Sequence, residues 1–296
     1  MINFEIIYDE EFKKADTDGK RKEAFQRALN TWTIHLLDPD PNSTIKINIQ
    51  VYLRDLSSKG LSGLCVPNGV LNKGDFSTSN VGVWYTSALA KYLAVVNDNK
   101  ECFSKLNNDI SVDMVVIFNE KTTWYAGEDP TGIGKTEVDF QSIALHEVAH
   151  GLGFIGLFSV DKNDKGAYGS KTEITDVVNP LLNTLVISFS VPDLDNKPSV
   201  YGEFTQVQTT NKKLTSYTNS SDDLYKALTG QNGDLCFKCS DSTSYKIYAP
   251  SSFEMFSSID HITEGLMKPS ITSAEIIRDV DPKTLNILSS LGWKTK

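Results

Sequence analysis

Histidine is scarce in this chain, with four residues in 296. No apolar run approaches the roughly 18 to 20 residues needed to cross a bilayer, so no membrane span is expected. An excess of basic residues is also missing. The formal net charge is −9. An acidic surface repels phosphates and argues against a nucleic-acid or anionic-membrane partner. There is no internal repeat and no low-complexity tract. The opening residues MINFEIIYDEEF lack the basic start, apolar core and small-residue cleavage site of a secretory signal and read as a strand instead.

Cysteine is sparing too: Cys65, Cys102, Cys236 and Cys239, the last two forming CFKC. An even number suits disulfides (236–239 and 65–102) in an oxidising compartment. Free thiols are the second reading. A four-cysteine structural zinc site is the third, weakened because no second CxxC is present.

What is present is ordinary for a folded chain: 40% hydrophobic and 23% charged residues, which excludes disorder as the default. The length fits one large domain or two packed subdomains and can bury a substantial core. Residues 2–8 alternate as a strand. Residues 20–37 carry Phe25, Leu29, Trp32 and Leu36 at helical spacing. Residues 45–53 alternate as a second strand, so the chain opens strand, helix, strand. Residues 60–85, rich in Gly, Ser and Asn, read as a long surface connection. A helix is predicted over 87–97 and a buried strand over 111–119.

Asp139 is a suitable N-cap for a helix running through FQSIALHEVAHGL. Beyond it, residues 157–250 look loop-rich apart from short helices near DVVNPLLNTL and DDLYKALTG. A last helix is marked by Asp281 as N-cap, Pro282 at its first position and Gly292 past its end. The expected boundary follows Gly153. It divides an N-terminal part, residues 1–156, from an irregular C-terminal part, residues 157–296.

The chemistry centres on His146-Glu147-Val148-Ala149-His150. Histidines at i and i+4 share one helix face, one turn apart, and can reach one ion at about 2.0 to 2.1 Å. Glu147 projects beside the metal as general base for a water whose pKa zinc lowers to about 7. HExxH arises by chance in many proteins, and the bland reading is two surface histidines satisfying hydrogen bonds. Here the motif sits in an apolar helix with an N-cap and a preceding buried strand.

A catalytic zinc site takes three protein ligands and one open position. The HExxHxxGxxH pattern would place the third at 156, but residue 156 is glycine. His261, in SSIDHITEGLMKPS, is the expected third ligand. Met267 follows it as the methionine of a metzincin turn would. Asp161, Glu173 and Asp176 are rivals, with Glu264 behind them. His35 reads as a packed helix-face histidine. Tyr248 is a candidate oxyanion helper, with a packed aromatic as its bland reading; Trp124 and Tyr125 suit either the cleft or the core.

These stretches resemble secreted, mostly bacterial zincin metallopeptidases related in outline to metzincins. The resemblance rests on QSIALHEVAHGLGF (141–154), DLYKALTG (223–230), IYAPSSFEMFSSIDHI (247–262), LMKPSI (266–271), LNILSSLGW (285–293) and the opening AFQRALNTW (24–32). Several such proteins carry an inserted protease-associated domain, for which the segment between Asp161 and Tyr248 is too short. His261 falls where that family has a Ser-His pair, and Asp260 stands in place of the serine. The resemblance implies an α+β zincin-type fold with a mixed twisted sheet, Zn2+ as cofactor, a protein or peptide substrate and a secreted location. The expected function is a metalloendopeptidase with Glu147 as base and His146, His150 and His261 as ligands. The alternatives are a catalytically silent zincin-fold adhesion module and a zinc exopeptidase.

Overall fold

The computed structural model describes residues 1–168 and 197–296. Its architecture is α+β. Strand β1 (Ile2–Tyr8) leads through α1 (Glu10–Ala15) and α2 (Lys20–His35) to β2 (Ile45–Arg54). Strand β3 (Gly63–Pro67) follows, then the short strands β4 (Gly69–Leu71) and β5 (Trp84–Thr86), helices α3 (Ser87–Val96) and α4 (Lys100–Asp109), and β6 (Met114–Asn119). The main sheet has the order β1-β2-β6-β3. β1, β2 and β6 are mutually parallel, whereas β3 runs antiparallel to β6 with Cys65 opposite Val116.

Alternation along β2 explains which face is covered. Ile45, Ile47, Ile49 and Val51 point into the large core, as a period of two requires. α2 contributes Phe25, Ala28, Leu29 and Trp32 to the same core. β6 is buried on both faces: Met114, Val116 and Phe118 join the large core, while Val115 and Ile117 join a smaller cluster with Leu64 and Val66. Short strands β7 (Trp124–Tyr125) and β8 (Val138–Asp139) precede α5 (Phe140–Gly151). Asp139 caps α5 by accepting the Ser142 N–H. Every residue of α5 is buried. The Trp32 indole N–H donates to the Leu145 carbonyl at 3.2 Å, fixing α2 against α5.

The C-terminal part is more ordered than its polar composition suggests. A hairpin, β9 (Phe158–Val160) and β10 (Gly166–Tyr168), follows α5; α6 (Val200–Phe204) leads into β11 (Thr205–Val207) and β12 (Lys212–Lys213). After α7 (Asp222–Leu228) come β13 (Leu235–Lys238) and β14 (Ser244–Lys246), which complete a second sheet of order β12-β11-β13-β14. The DVVNPLLNTL stretch lies outside the described residues. The last helix, α8 (Pro282–Leu291), starts on the Asp281 cap, and Trp293 beyond it donates its indole N–H to the Leu152 carbonyl at 2.8 Å. One apolar core runs through residues of both halves.

Two sequence expectations are corrected. The surface connection read over 60–85 contains β3, whose Leu64, Cys65 and Val66 are buried. Glycine and serine content hid a strand whose partner, β6, lies far along the chain. The four cysteines are free. Cys65 sits on β3 near Glu147, while Cys102 sits on α4 near Asp75 and Lys105. Cys239 joins the core with Leu235 and Phe237, but Cys236 does not. Alternation therefore sends the two CFKC thiols to opposite sides. Cysteine pairing gives no support to an oxidising compartment.

Under the sheet, Lys91 and Asp113 form a wholly buried ion pair at 2.7 Å. Lys91 also donates to the Lys46 carbonyl, and Asp113 accepts from Ser87 Oγ and the Asn48 N–H. Removing one partner would strand the other charge, so Lys91→Met is expected to cost about 3–5 kcal/mol in guanidinium denaturation. A loss below about 1 kcal/mol would show that the carboxyl is accommodated without the ammonium.

Candidate metal centre

α5 carries His146 and His150 on one face, and the turn between β14 and α8 brings His261 to them. The three ligand atoms lie within 4.8 Å of one another. His146 Nε2 is 3.0 Å from His261 Nε2 and 3.1 Å from His150 Nε2. On the opposite ring edge each Nδ1 meets a backbone carbonyl: Leu266 O at 2.8 Å, Phe154 O at 2.7 Å and Ser257 O at 2.8 Å for His146, His150 and His261. A carbonyl only accepts, so Nδ1 carries the proton in all three rings. Three Nε2 lone pairs therefore face one another.

Burial keeps these rings neutral. It lowers the His146 pKa to about 4 and that of His261 to about 3, and takes His150 well below the usual value, with neighbouring histidines adding to the effect on His150 and His261. Neutral imidazole is the ligating form. Lone pairs about 3 Å apart repel unless a cation sits among them. Four-coordinate zinc with about 2.05 Å bonds would place its ligand nitrogens about 3.3 Å apart. The donor set thus fits a metal ion, and its fixed tautomers are those that a carbonyl at Nδ1 imposes on metal-bound histidines.

Glu147 lies beside the triad on the side of β3. Burial raises its carboxyl to about 8, while the Cys65 backbone N–H pulls it down. Its space comes from Gly63: a Cβ there would meet Glu147 Oε1 at 2.6 Å and Ile143 Cγ2 at 2.8 Å. The cleft is lined by Leu61, Gly63 and Cys65 from the β3 side and by Phe256, Asp260 and Ile271 from the C-terminal half. Among the described residues β3 pairs with β6 alone, and its other edge has no strand partner there.

Gly156, where a third histidine would stand in HExxHxxGxxH, is occupied in another sense. A Cβ at 156 would meet Ile259 Cγ2 at 2.8 Å and Asp260 Oδ1 at 3.1 Å. The His261 loop packs onto this glycine, so the ligand arrives from the far end of the chain. Met267 is buried, and its carbonyl accepts the Ile262 N–H at 2.9 Å, closing the turn that presents Leu266 O to His146. Asp281, besides capping α8, accepts the Leu266 N–H at 2.9 Å.

The other candidates lie elsewhere. Asp161 organises the β9–β10 turn through Asn163 and Lys165 and accepts from Ser220. Glu264 pairs with Lys283. His35 bonds Asp279 at 2.6 Å. Glu173 and Asp176 lie outside the described residues. Tyr248 donates to Glu254 at 3.0 Å and does not line the cleft. Trp124 packs on Phe118 and Phe140, and the Tyr125 hydroxyl donates to the Asp129 carbonyl.

Composition hid Gly63 and Cys65 within an apparent loop, and Asp260 showed only as a replaced serine. The signal that could have found Gly63 is the apolar run Leu64-Cys65-Val66 beside it.

His261→Ala is expected to abolish stoichiometric cation retention and Asp161→Ala to leave it unchanged, read by elemental analysis after dialysis. The reverse pattern would remove His261 from the site.

No curated protein and no solved structure matches the chain. Residues 100–291 match the protein family described as SPBPB7E8-like. The matched stretch includes α5 with His146, Glu147 and His150, and it extends through His261 to the end of α8. It spans well over half of the chain, which therefore belongs to the SPBPB7E8-like family.

Proposed function

We propose that the protein is a zinc-dependent metalloendopeptidase of the zincin type, holding its ion with His146, His150 and His261. The observation that carries the reading is the convergence of three unprotonated Nε2 atoms beside the Glu147 carboxyl in one cleft. Zinc, when bound, supplies a Lewis acid that polarises an amide carbonyl and acidifies water. Glu147 takes the proton of the attacking water and passes it to the leaving amine. Its elevated pKa in the metal-free protein suits both halves of that transfer, since a neighbouring cation would draw it back toward the ionised form.

A peptide substrate is favoured over other hydrolysable ligands by the edge of β3 that has no strand partner among the described residues. Extended peptides recognise such an edge through backbone hydrogen bonds, and residues at its start line the cleft. The arrangement of a mixed sheet, two long helices on one face and an antiparallel edge strand supports the zincin reading of the fold.

Denatured casein incubated with the zinc-loaded chain is expected to yield internal fragments by mass spectrometry, and none once a chelator has removed the ion. Products trimmed one residue at a time would favour an exopeptidase. Absence of any cleavage by the loaded protein would favour a silent module. Glu147→Gln is expected to retain zinc and lower turnover by about 10²–10⁴-fold; full activity in that variant would remove Glu147 as the base. Gly63→Ala is expected to retain zinc while lowering kcat, because its Cβ displaces the Glu147 carboxyl. Wild-type kcat in Gly63→Ala would mean that this crowding has no bearing on the base.

A further inference from the structure

His146 and His150 hold their relative position through one turn of α5, but His261 comes from a loop, and something must fix that loop to the helix. The contact is a half-buried carboxylate. Asp260 Oδ1 accepts the Gly156 N–H at 2.6 Å, and the Leu157 N–H donates to the same side chain. The segment so held begins at Phe154, whose carbonyl orients His150. From its other side, Ser199 Oγ donates to the Gly156 carbonyl at 2.7 Å. Asp260 thus ties the loop that sets one ligand to the loop that carries another.

The His261 loop needs such a tie. Ile259 has φ of 73°, a region that a β-branched side chain rarely adopts. Backbone held there persists only when its surroundings over-determine it. Ile259 packs against Gly156, where no side chain fits between them, and Asp260 supplies the directional bonds. Hydrogen bonds to a carboxylate are stronger than those between neutral groups.

We propose that Asp260 is a positioning residue for the metal centre, setting His261 against the two helix histidines before the ion arrives. The proposal rests on the metal-centre reading, but it needs no substrate and no proteolysis to be tested. Asp260→Ala removes both acceptors. Asp260→Asn keeps one acceptor and turns an amide NH2 toward the second donor.

The metal-free full chain and both variants would be titrated with Co2+, following the visible absorption of the bound ion, with thermal unfolding of the metal-free forms alongside. Asp260→Ala is expected to raise the Co2+ Kd by about 10–100-fold, the usual effect of losing an outer-shell partner. Its absorption bands should shift as the third nitrogen moves, and Asp260→Asn should fall in between. A purely structural role would lower the metal-free unfolding temperature and leave Kd and spectrum unchanged; that result overturns the proposal. Should Asp260→Ala fail to fold, Asp260→Asn decides. A Kd raised by about threefold or more supports the tie, and an unchanged Kd overturns it. A wild-type chain that takes up no cobalt removes the metal centre itself, an outcome distinct from equal uptake by all three proteins.

Discussion

Three backbone carbonyls, those of Phe154, Ser257 and Leu266, each accept the Nδ1–H of one histidine, and the rest of the site follows from that. With Nδ1 occupied, every ring must turn its bare Nε2 inward. Three such nitrogens, all within 4.8 Å of one another, form a strongly electron-rich point, and burial prevents the rings from relieving it by taking up protons. The arrangement could hold a metal ion, and it is set by peptide groups that cannot change their charge.

The carbonyls stay in place because the chain is fastened around α5. At the start of the helix, Asp139 is both its N-cap and one half of a part-buried ion pair with Arg278 at 2.6 Å. Arg278 also donates to the carbonyls of Gly127 and Glu128, fixing the loop that leads into the helix. At the far end, Trp293 donates to the Leu152 carbonyl and packs at a tilt against the Tyr92 ring. Between these points Asp281 links α8 to the Leu266 turn. The C-terminal segment thus spans the length of the motif helix, and strain at the site can be borne by contacts at both ends.

Much of this was legible in one dimension. Helical spacing in 20–37, the N-cap at Asp139 and the i, i+4 pair of histidines are local features, and each appears where local rules put it. His261 was legible only in part: its place after a glycine at 156 and before Met267 pointed to it, but Asp161 and the carboxylates near 173–176 fitted the arithmetic of a third ligand as well. Strand β3 was missed because its glycine and the serines before it look like a loop. Gly63 is there because the Glu147 carboxyl occupies the space of its side chain, a reason invisible without both residues in view.

The sequence alone determined that His146 and His150 share one face of α5, since one helical turn separates them whatever the remainder of the chain does. It also determined the elements whose apolar periodicity is complete within ten or so residues. Tertiary structure alone decided which distant histidine completes the set, which tautomer each ring adopts and how deeply Glu147 is buried. Those depend on loops meeting after long separations along the chain. A contact between Asp260 and Gly156 leaves no periodic trace in composition, because it is fixed by the packing of the whole core and not by the residues beside it.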